Sequence, residues 1–485
     1  MTDVSRASGK TRVAAFAGLL ATAGLFAGLR AAFVFVREPF FDELFTLWFA
    51  ARPYAVTWST LQNDSSSLLH YGLVRLFALF RPLDLLAVRL LSLLCACLTA
   101  WLVLRSPQPP RVRAIALLLL AVFPAHVFFS SEARAYALVA LLIGIATVCL
   151  HDWIVLQSRF ALGAATLSMV LAAYAHAYGV LFFPLPVVLV LAMRESRRWK
   201  EAACSVAVAG LLFVPGFWLA AQQPPGALVW MQEAKPLTTL MLLKGPVGQL
   251  GFAAEFPYAL LPPSPLALQL LSVTVMAVIV ASAMRNGRGA RIFGWILLTP
   301  CVLLLMFAIG GKTFYFPTRF ESTLAVPLSL MIASTVDTWR PALRLVIVTV
   351  LCTLGILSSG VAIASHASRP EEPYRSAARF VRQSVPSNTS LIASSYAYLE
   401  VYSQQDAIWQ VRLEAFPSSQ GLHPGWWVNP AQSQLSSEAD SLIRRRPDGF
   451  LWIGHRGSGE FRMLRSRLGF QPLFENQGAT VGWFR

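Results

Sequence analysis

The residues best suited to chemistry are acids and bases in short polar segments between long apolar runs. Asp42 and Glu43 lie side by side in the segment 39–48, flanked by aromatic residues. A carboxylate placed in this way can accept a proton from a hydroxyl group. The structural alternative is a solvated helix start, because acids at a helix N-terminus interact favourably with its dipole.

The same polar segment continues with Asp64, His70 and Tyr71. Asp64 is a further candidate acid, although an Asp at this position could equally cap a following helix. His70 and Tyr71 are candidate substrate contacts, with anchoring at the level of the lipid headgroups as the alternative.

Cations accompany these acids. Arg89 lies about one turn inside an apolar run, where an unpaired charge costs about 2.5 to 3.5 kcal/mol. It therefore needs an anionic partner, and we expect it beneath the loop that carries Asp42. A charged hairpin with Glu132, Arg134 and Tyr136 returns to the same face. The alternative for the hairpin is a polar turn with an ion pair of little value.

Two more segments complete this face, one with His176 and Tyr178 and one with Lys312 and Arg319. Taken singly, each would be an ordinary loop. Taken together, carboxylates that deprotonate a hydroxyl and cations that hold a phosphate are suited to transferring a sugar from a lipid phosphate.

The composition indicates that a bilayer positions these residues. Of 485 residues, 56% are hydrophobic and 13% are charged, about half the charged fraction of a soluble protein. The net charge of +16 would suggest nucleic-acid binding in a soluble chain. Here the Arg residues cluster between apolar runs, so topology explains them better and we expect no nucleic-acid partner.

About eleven apolar runs are long enough to cross the membrane. They lie near 13–36, 84–104, 114–130, 137–157, 160–175, 178–193, 202–220, 266–284, 292–310, 322–338 and 345–365. The first run is longer than the core of a signal peptide, and we interpret it as a retained span.

The run 68–80 is short and contains Arg75. Treating it as an interfacial helix within a first external loop at 37–83 puts every strong Arg cluster on one side. The positive-inside rule then predicts a cytoplasmic N-terminus and an external C-terminus.

The segment 366–485 is polar and alternates between helical and strand-like patterns, which predicts a small external α/β domain after the membrane domain 1–365. Helices are predicted at 374–383, 397–405, 437–445 and 459–468, and strands at 390–393, 408–412, 449–453 and 479–484. The six cysteines all lie in apolar runs, and no metal-binding spacing of Cys and His is present.

In its motifs the sequence resembles the GT-C superfamily of polytopic glycosyltransferases. The resemblance covers 13–335, and the branch is that of protein O-mannosyltransferases, lipid A aminoarabinose transferase and rhizobial lipopolysaccharide galacturonosyltransferases. Ser66 and Ser67 stand where the family pattern has prolines. The matching motifs follow in order: Asp42-Glu43, Asp64 with 68–71, Arg89-Leu90-Leu91-Ser92, Ser130/Glu132/Arg134/Tyr136 and His176-Ala177-Tyr178-Gly179.

The resemblance implies an inverting transfer of a monosaccharide from a polyprenyl-phosphate-linked donor to a hydroxyl of a glycolipid, glycan or protein, on the external, periplasmic side of a bacterial inner membrane. It implies that Asp42 is the base and that Glu43 orients it or the acceptor. Glu132 would position Arg134, and His176 would bond phosphate or sugar. The candidate donor-binding residues are Arg89, Glu132, Arg134, Tyr136, His176, Tyr178, Lys312 and Arg319. A divalent cation could also serve, but the scattered acids form no cage and we expect no required metal or other cofactor.

Two alternatives remain at this point, a transporter or flippase for lipid-linked saccharides and a ligase of whole glycans. Transporters place ionisable groups at mid-membrane depth, whereas here charges gather in the loops. A ligase should carry a large Arg-rich late loop, and the loop 222–265 contains no Arg.

Overall fold

The structure is a computed structural model. It describes residues 9–53, 68–80, 82–222, 266–285, 287–309, 319–368, 373–416, 432–476 and 478–485. Asp64, Lys312 and nearly all of the loop 222–265 lie outside these residues.

The described part of the membrane region is helical. Each of the eleven predicted apolar runs coincides with a helix or with consecutive helices. The first group is α1 (Gly9–Val36), α2 (Phe41–Ala50), α3 (Leu68–Ala78), α4 (Leu85–Arg105), α5 (Pro110–Val122), α6 (Pro124–Phe129), α7 (Tyr136–Val155), α8 (Arg159–Ala175), a 3-10 turn at Ala177–Phe182 and α9 (Leu185–Met193). After a 3-10 turn at Ser196–Arg198 come α10 (Trp199–Leu212), α11 (Val214–Ala221), α12 (Leu266–Arg285), α13 (Arg288–Ile309), α14 (Arg319–Thr323), α15 (Ala325–Val336) and α16 (Pro341–Ala367).

By length and composition, five of the described helices could cross a membrane, or six if the bent pair Ser196–Leu212 and Val214–Ala221 counts as one span. The other apolar helices are shorter, so the number of spans stays a prediction. Helix α3 has 11 residues and is only about 16 Å long. It is too short to span the hydrocarbon, which fits its predicted place in the external loop.

The buried Arg30 of α1 binds carbonyl groups at the break between α5 and α6. Pro124 begins α6 and cannot donate to the carbonyl of Leu120. The Arg30 guanidinium donates to the carbonyl oxygens of Leu120 at 3.1 Å and Ala121 at 3.0 Å, and it lies 2.7 Å from His126 Nδ1. Arg30 is fully buried, and it lies six residues before the end of α1.

The C-terminal region contains a five-stranded sheet in the order β2-β1-β3-β5-β4. Strands β2, β1 and β3 are parallel to one another, and β5 pairs antiparallel with both β3 and β4. Its elements are α17 (Pro373–Ser384), β1 (Ser390–Ala393), α18 (Ser395–Gln404), β2 (Arg412–Ala415), α19 (Gln432–Arg445), β3 (Phe450–Gly454), α20 (Gly459–Arg465), β4 (Phe470–Glu475) and β5 (Thr480–Phe484).

Two strands differ from the sequence-based prediction. The strand expected at 408–412 begins only at Arg412, because the Asp406 carboxylate accepts the backbone N–H groups of Ile408 and Trp409 at 2.8 Å each and closes a turn there. Strand β4 is not predicted, since it contains Pro472. It lies at the edge of the sheet, where proline is tolerated. The other three strands and the four helices are confirmed within a few residues.

Candidate functional site

The acid pair lies in the first turn of α2, which follows α1 almost directly. Glu43 Oε2 accepts the backbone N–H of Phe40 at 3.1 Å, so its side chain caps the start of the helix. All ten residues of α2 are buried. The acids therefore do not belong to a solvated helix start, and their burial needs its own explanation.

Glu43 is completely buried and binds cations and backbone donors at once. Arg89 donates to it at 3.0 and 2.8 Å, and Arg37 Nη2 lies 2.9 Å from Oε1. The backbone N–H of Ala133 donates to Oε1 at 2.8 Å. Burial alone would raise the pKa of Glu43, but Arg37 and Arg89 outweigh it and hold that pKa well below its ordinary value. Glu43 is thus an ionised structural centre.

Arg89 has the anionic partner that its burial requires. Its remaining donors go to carbonyl oxygens, at 2.7 Å from Val34, 3.0 Å from Arg37 and 3.5 Å from Glu38. With the two bonds to Glu43, all its N–H groups are engaged. No N–H group of Arg89 is left to bind a phosphate oxygen. This arrangement differs from its predicted role in binding the lipid-linked sugar.

A hydrogen bond from α4, the helix that carries Arg89, holds the hairpin before α7 in place. Ser92 lies three residues after Arg89, on the same face of α4. Its hydroxyl donates to the Glu132 carbonyl at 2.6 Å, next to the Ala133 N–H that binds Glu43. These bonds place Arg134 Nη2 3.9 Å from Asp42 Oδ2.

The second cation at Asp42 comes from α14, far along the chain. Arg319 Nη2 donates to Asp42 Oδ2 at 3.3 Å, and its guanidinium lies over the Tyr136 ring at 5.5 Å. The side chains of Asp42 and Arg319 are each 11% exposed and that of Arg134 is 17% exposed. These three charges are more accessible than Glu43, which is 0% exposed.

Aromatic rings line the site beside Arg319. The His176 ring contacts Tyr136 at 5.3 Å and Tyr178 at 4.4 Å between centroids, and Tyr178 packs edge-on against Phe320. His176 Nδ1 accepts the backbone N–H of Tyr178 at 3.2 Å, which assigns the proton of the neutral ring to Nε2. Burial, Arg134 and Arg319 lower the pKa of His176 to about 3. The ring is therefore a neutral N–H donor at physiological pH.

Glu132 is a third buried carboxyl in the cluster. It is 1% exposed, and its Oε2 has no hydrogen-bond partner among the described residues. Burial raises the pKa of Glu132, and Glu43 and Asp42 add to the rise against the opposing effect of Arg37 and Arg319. Its side chain does not pair with Arg134 in the described structure, and only its backbone fastens the hairpin.

The two remaining described candidates lie on α3. His70 and Tyr71 are each 3% exposed, so protein atoms surround both side chains. Tyr71 packs on Phe49 of α2 with ring centroids 4.1 Å apart. His70 lines a small cavity with Ser92 and Arg134, and burial together with Arg134 lowers its pKa to about 3.

The sequence analysis does not identify Arg37 as a site residue. Its position five residues before an acid pair, at the end of an apolar run, is the signal that could have identified it. Among the described residues, no group of three or more His, Cys, Asp or Glu side chains could hold a metal ion.

Comparison with known proteins identifies the fold. No family model and no curated protein matches the sequence. The structure of ArnT from Cupriavidus metallidurans in the apo state has a TM-score of 0.65 at 12% identity, over 97% of this chain and 98% of that one. The structure of the same protein bound to undecaprenyl phosphate has a TM-score of 0.66 at 13% identity, over 96% and 97%. The chain therefore has the fold of ArnT over nearly its whole length.

Proposed function

We propose that this protein is an inverting glycosyltransferase that moves a monosaccharide from a polyprenyl-phosphate-linked donor to a hydroxyl acceptor. The observation that carries the proposal is the contact of Asp42 with two guanidinium groups, at 3.3 Å from Arg319 and 3.9 Å from Arg134. It joins a candidate base and candidate phosphate-binding cations in one partly exposed cluster. The fold supports it, since ArnT has this fold and its structure is bound to a polyprenyl phosphate.

Asp42 acts as the base in this proposal. Its carboxylate accepts the proton of the acceptor hydroxyl while the new bond to the sugar carbon forms. The bond from that carbon to the lipid phosphate breaks on the opposite face, which inverts the anomeric centre. The phosphate leaves with the electron pair, and cations beside it stabilise the charge that develops.

Arg134 and Arg319 hold the phosphate in this proposal. Guanidinium groups form strong paired hydrogen bonds with phosphate oxygens. A bound donor would compete with Asp42 for these two cations, and the Asp42 carboxylate would then be free to accept the proton of the acceptor hydroxyl. His176 adds a neutral N–H from Nε2 to the phosphate or the sugar, and Tyr136 and Tyr178 hold its ring.

Glu43 and Arg89 then have positioning roles. Glu43 joins the start of α2 to the hairpin that carries Arg134, through Phe40 and Ala133. Arg89 holds Glu43 against the end of α1 through the carbonyl oxygens of Val34 and Arg37. Lys312 remains a proposed phosphate contact and Asp64 a proposed acid, both outside the described residues.

The charge balance of the cluster suits an anionic substrate. Within the described part of the cluster, four guanidinium groups face three carboxyl groups, of which Glu132 has a raised pKa. The excess positive charge stabilises a lipid phosphate without a required metal ion. The cations are Arg37, Arg89, Arg134 and Arg319, and the carboxyls are Asp42, Glu43 and Glu132.

The proposed setting is the external leaflet of a bacterial inner membrane, with the N-terminus cytoplasmic and the C-terminal domain periplasmic. The partners are membrane lipid, the lipid-linked sugar and a glycolipid, glycan or protein acceptor. The cluster lies at the ends of α1 and α4 that flank the predicted external loop. Both substrates of the proposed reaction reach the membrane surface at that level.

The test is Asp42→Asn in the purified full-length protein. We expect loss of sugar transfer by at least about 100-fold, because the amide cannot take the hydroxyl proton, with unchanged expression and thermal stability. Transfer is measured with a polyprenyl-phosphate sugar in detergent, with the acceptor identified from envelope extracts of a deletion strain by mass spectrometry. That strain should accumulate an envelope product that is lighter by one sugar than its wild-type counterpart.

Asp84→Asn is the matched control, since Asp84 caps α4 by accepting the Ala87 N–H at 2.6 Å and Asn caps a helix equally well. It should retain activity. Equal activity of Asp42→Asn and wild type would remove Asp42 as the base.

A further inference from the structure

The helix that carries the acid pair is packed against the C-terminal domain. The buried side chains of α2 and those of α18 belong to one apolar cluster, with Phe45 and Trp48 on one side and Tyr398 and Val401 on the other. Helix α18 lies about 350 residues later in the chain than α2. The external domain thus forms part of the surface on which α2 rests.

At the N-terminal end of α2, a charged contact crosses between the two domains. Glu38 lies four residues before Asp42, and its carboxylate contacts the Arg375 guanidinium of α17. Arg375 Nε lies 3.7 Å from Glu400 Oε2 on α18. The carbonyl of Glu38 in turn accepts from Arg89 Nη2 at 3.5 Å. A chain of contacts therefore leads from the C-terminal domain to the residue that binds Glu43.

At the C-terminal end of α2, Arg52 makes a second crossing contact. Its Nη2 donates to Tyr398 Oη at 2.9 Å. Its guanidinium lies over the Trp48 ring at 4.8 Å and over the Tyr402 ring at 5.5 Å. Both ends of the helix are thereby joined to α17 or α18, while the reactive carboxylate lies between them.

We propose that the C-terminal domain positions the catalytic helix, with Arg375 acting at its start and Tyr398 at its end. This inference rests on the proposed role of Asp42. Neither residue contacts the charges around Asp42, so each acts through the placement of α2. Displacement of a reacting group by about 1 Å can cost on the order of 100-fold in rate. Loss of the contacts that hold α2 in place should therefore lower the rate of sugar transfer.

The first measurement is kinetic, with the full-length protein. Arg375→Ala should lower kcat roughly 10- to 100-fold and leave KM for the lipid donor within about twofold, because the donor cations Arg134 and Arg319 belong to the membrane domain. Tyr398→Phe removes only a hydroxyl and should give a smaller loss in the same direction. Arg382→Ala is the matched control, since Arg382 pairs with Asp406 within the C-terminal domain, and it should retain the wild-type kcat.

A double-mutant cycle separates the contact from general destabilisation. If Glu38 and Arg375 act as a pair, Glu38→Ala combined with Arg375→Ala should lower kcat little more than the stronger single variant. Multiplied losses would instead mean that the two residues act independently, which would overturn the proposed support at the start of α2.

The second measurement needs no substrate. Hydrogen exchange of the peptide that covers 41–50 should quicken several-fold in Arg375→Ala and Tyr398→Phe but not in Arg382→Ala. Wild-type exchange together with wild-type kcat in both variants would refute the inference. If the wild-type protein transfers no sugar, the proposed function fails, and exchange of α2 alone still decides whether the domain holds this helix.

Discussion

Two charge clusters lie beside opposite ends of helix α7 and contain similar residue types in different settings. Near its start, Asp42 contacts Arg319 and Arg134, and near its end, about 25 Å away, Glu201 accepts from Arg159 at 2.8 Å and from the Trp153 indole at 3.0 Å. The Arg159 side chain is 87% exposed, whereas that of Arg319 is 11% exposed. The carboxylate side chain is 11% exposed at Asp42 and 26% exposed at Glu201, so the two clusters differ in solvation.

The difference separates the proposed functional cluster from an ordinary one. Exposed ion pairs contribute at most about 1 kcal/mol and form wherever opposite charges meet. Buried charges cost several kcal/mol to desolvate, and around Asp42 the cations outnumber the ionised acids. A bound anion would compensate that excess, whereas the Glu201 cluster needs no ligand to account for it.

The largest effect should follow removal of the Glu43 carboxylate. Glu43→Ala leaves Arg37 and Arg89 buried without their partner, and we expect a loss of about 3 to 5 kcal/mol in unfolding free energy together with loss of activity. Chemical unfolding in detergent measures it. The control is Glu201→Gln at the other end of α7, which should lose no more than about 1 kcal/mol. Similar losses in the two variants would erase the distinction between the clusters.

A smaller effect is expected from Arg319→Ala. Loss of a charge-assisted hydrogen bond to the donor phosphate should weaken binding of undecaprenyl phosphate roughly 10- to 100-fold, as measured by titration in detergent. Arg319→Lys should recover part of this affinity because it keeps the charge. Arg159→Ala is the control and should bind normally. Wild-type affinity of Arg319→Ala would leave Arg319 only as the partner of Asp42.

The smallest effect concerns pH and His70. Burial and Arg134 lower the pKa of His70 to about 3 in the folded protein, whereas the unfolded chain protonates it near its ordinary value. Stability is therefore lost as the pH falls from about 6.5 towards 3, by about 2 kcal/mol between pH 7 and pH 5. His70→Asn should reduce this loss, and substitution of the exposed His455 by Asn should not. An unchanged pH dependence in His70→Asn would contradict a neutral buried imidazole.

Local patterns in the sequence predict the elements of the fold well. The apolar runs each coincide with helices, and most strands of the C-terminal domain follow their predicted positions. Strand β2 begins late because the Asp406 turn takes two backbone donors. Strand β4 is not predicted because it contains Pro472. A sequence pattern does not distinguish an edge strand, where proline is tolerated, from an interior strand, where it is not.

The site could be predicted in part. A buried Arg89 requires an anion, and the sequence analysis expects it beneath the loop of Asp42, where Glu43 binds it. The contact between Asp42 and Arg319 joins positions 277 residues apart, and no local pattern connects them. It also could not be predicted that every N–H group of Arg89 has a hydrogen-bond partner, because some of these partners are backbone carbonyls of α1 and of the turn that follows.

The sequence by itself determined that this chain is a basic, largely apolar protein with an acid pair after its first apolar run, since composition and periodicity follow from residue types alone. Only the tertiary structure decided that Glu43 is completely enclosed while the side chain of Asp42 is 11% exposed, and that the C-terminal domain packs against the helix they share. These properties depend on desolvation and distance, which are set by segments that meet only when the chain folds.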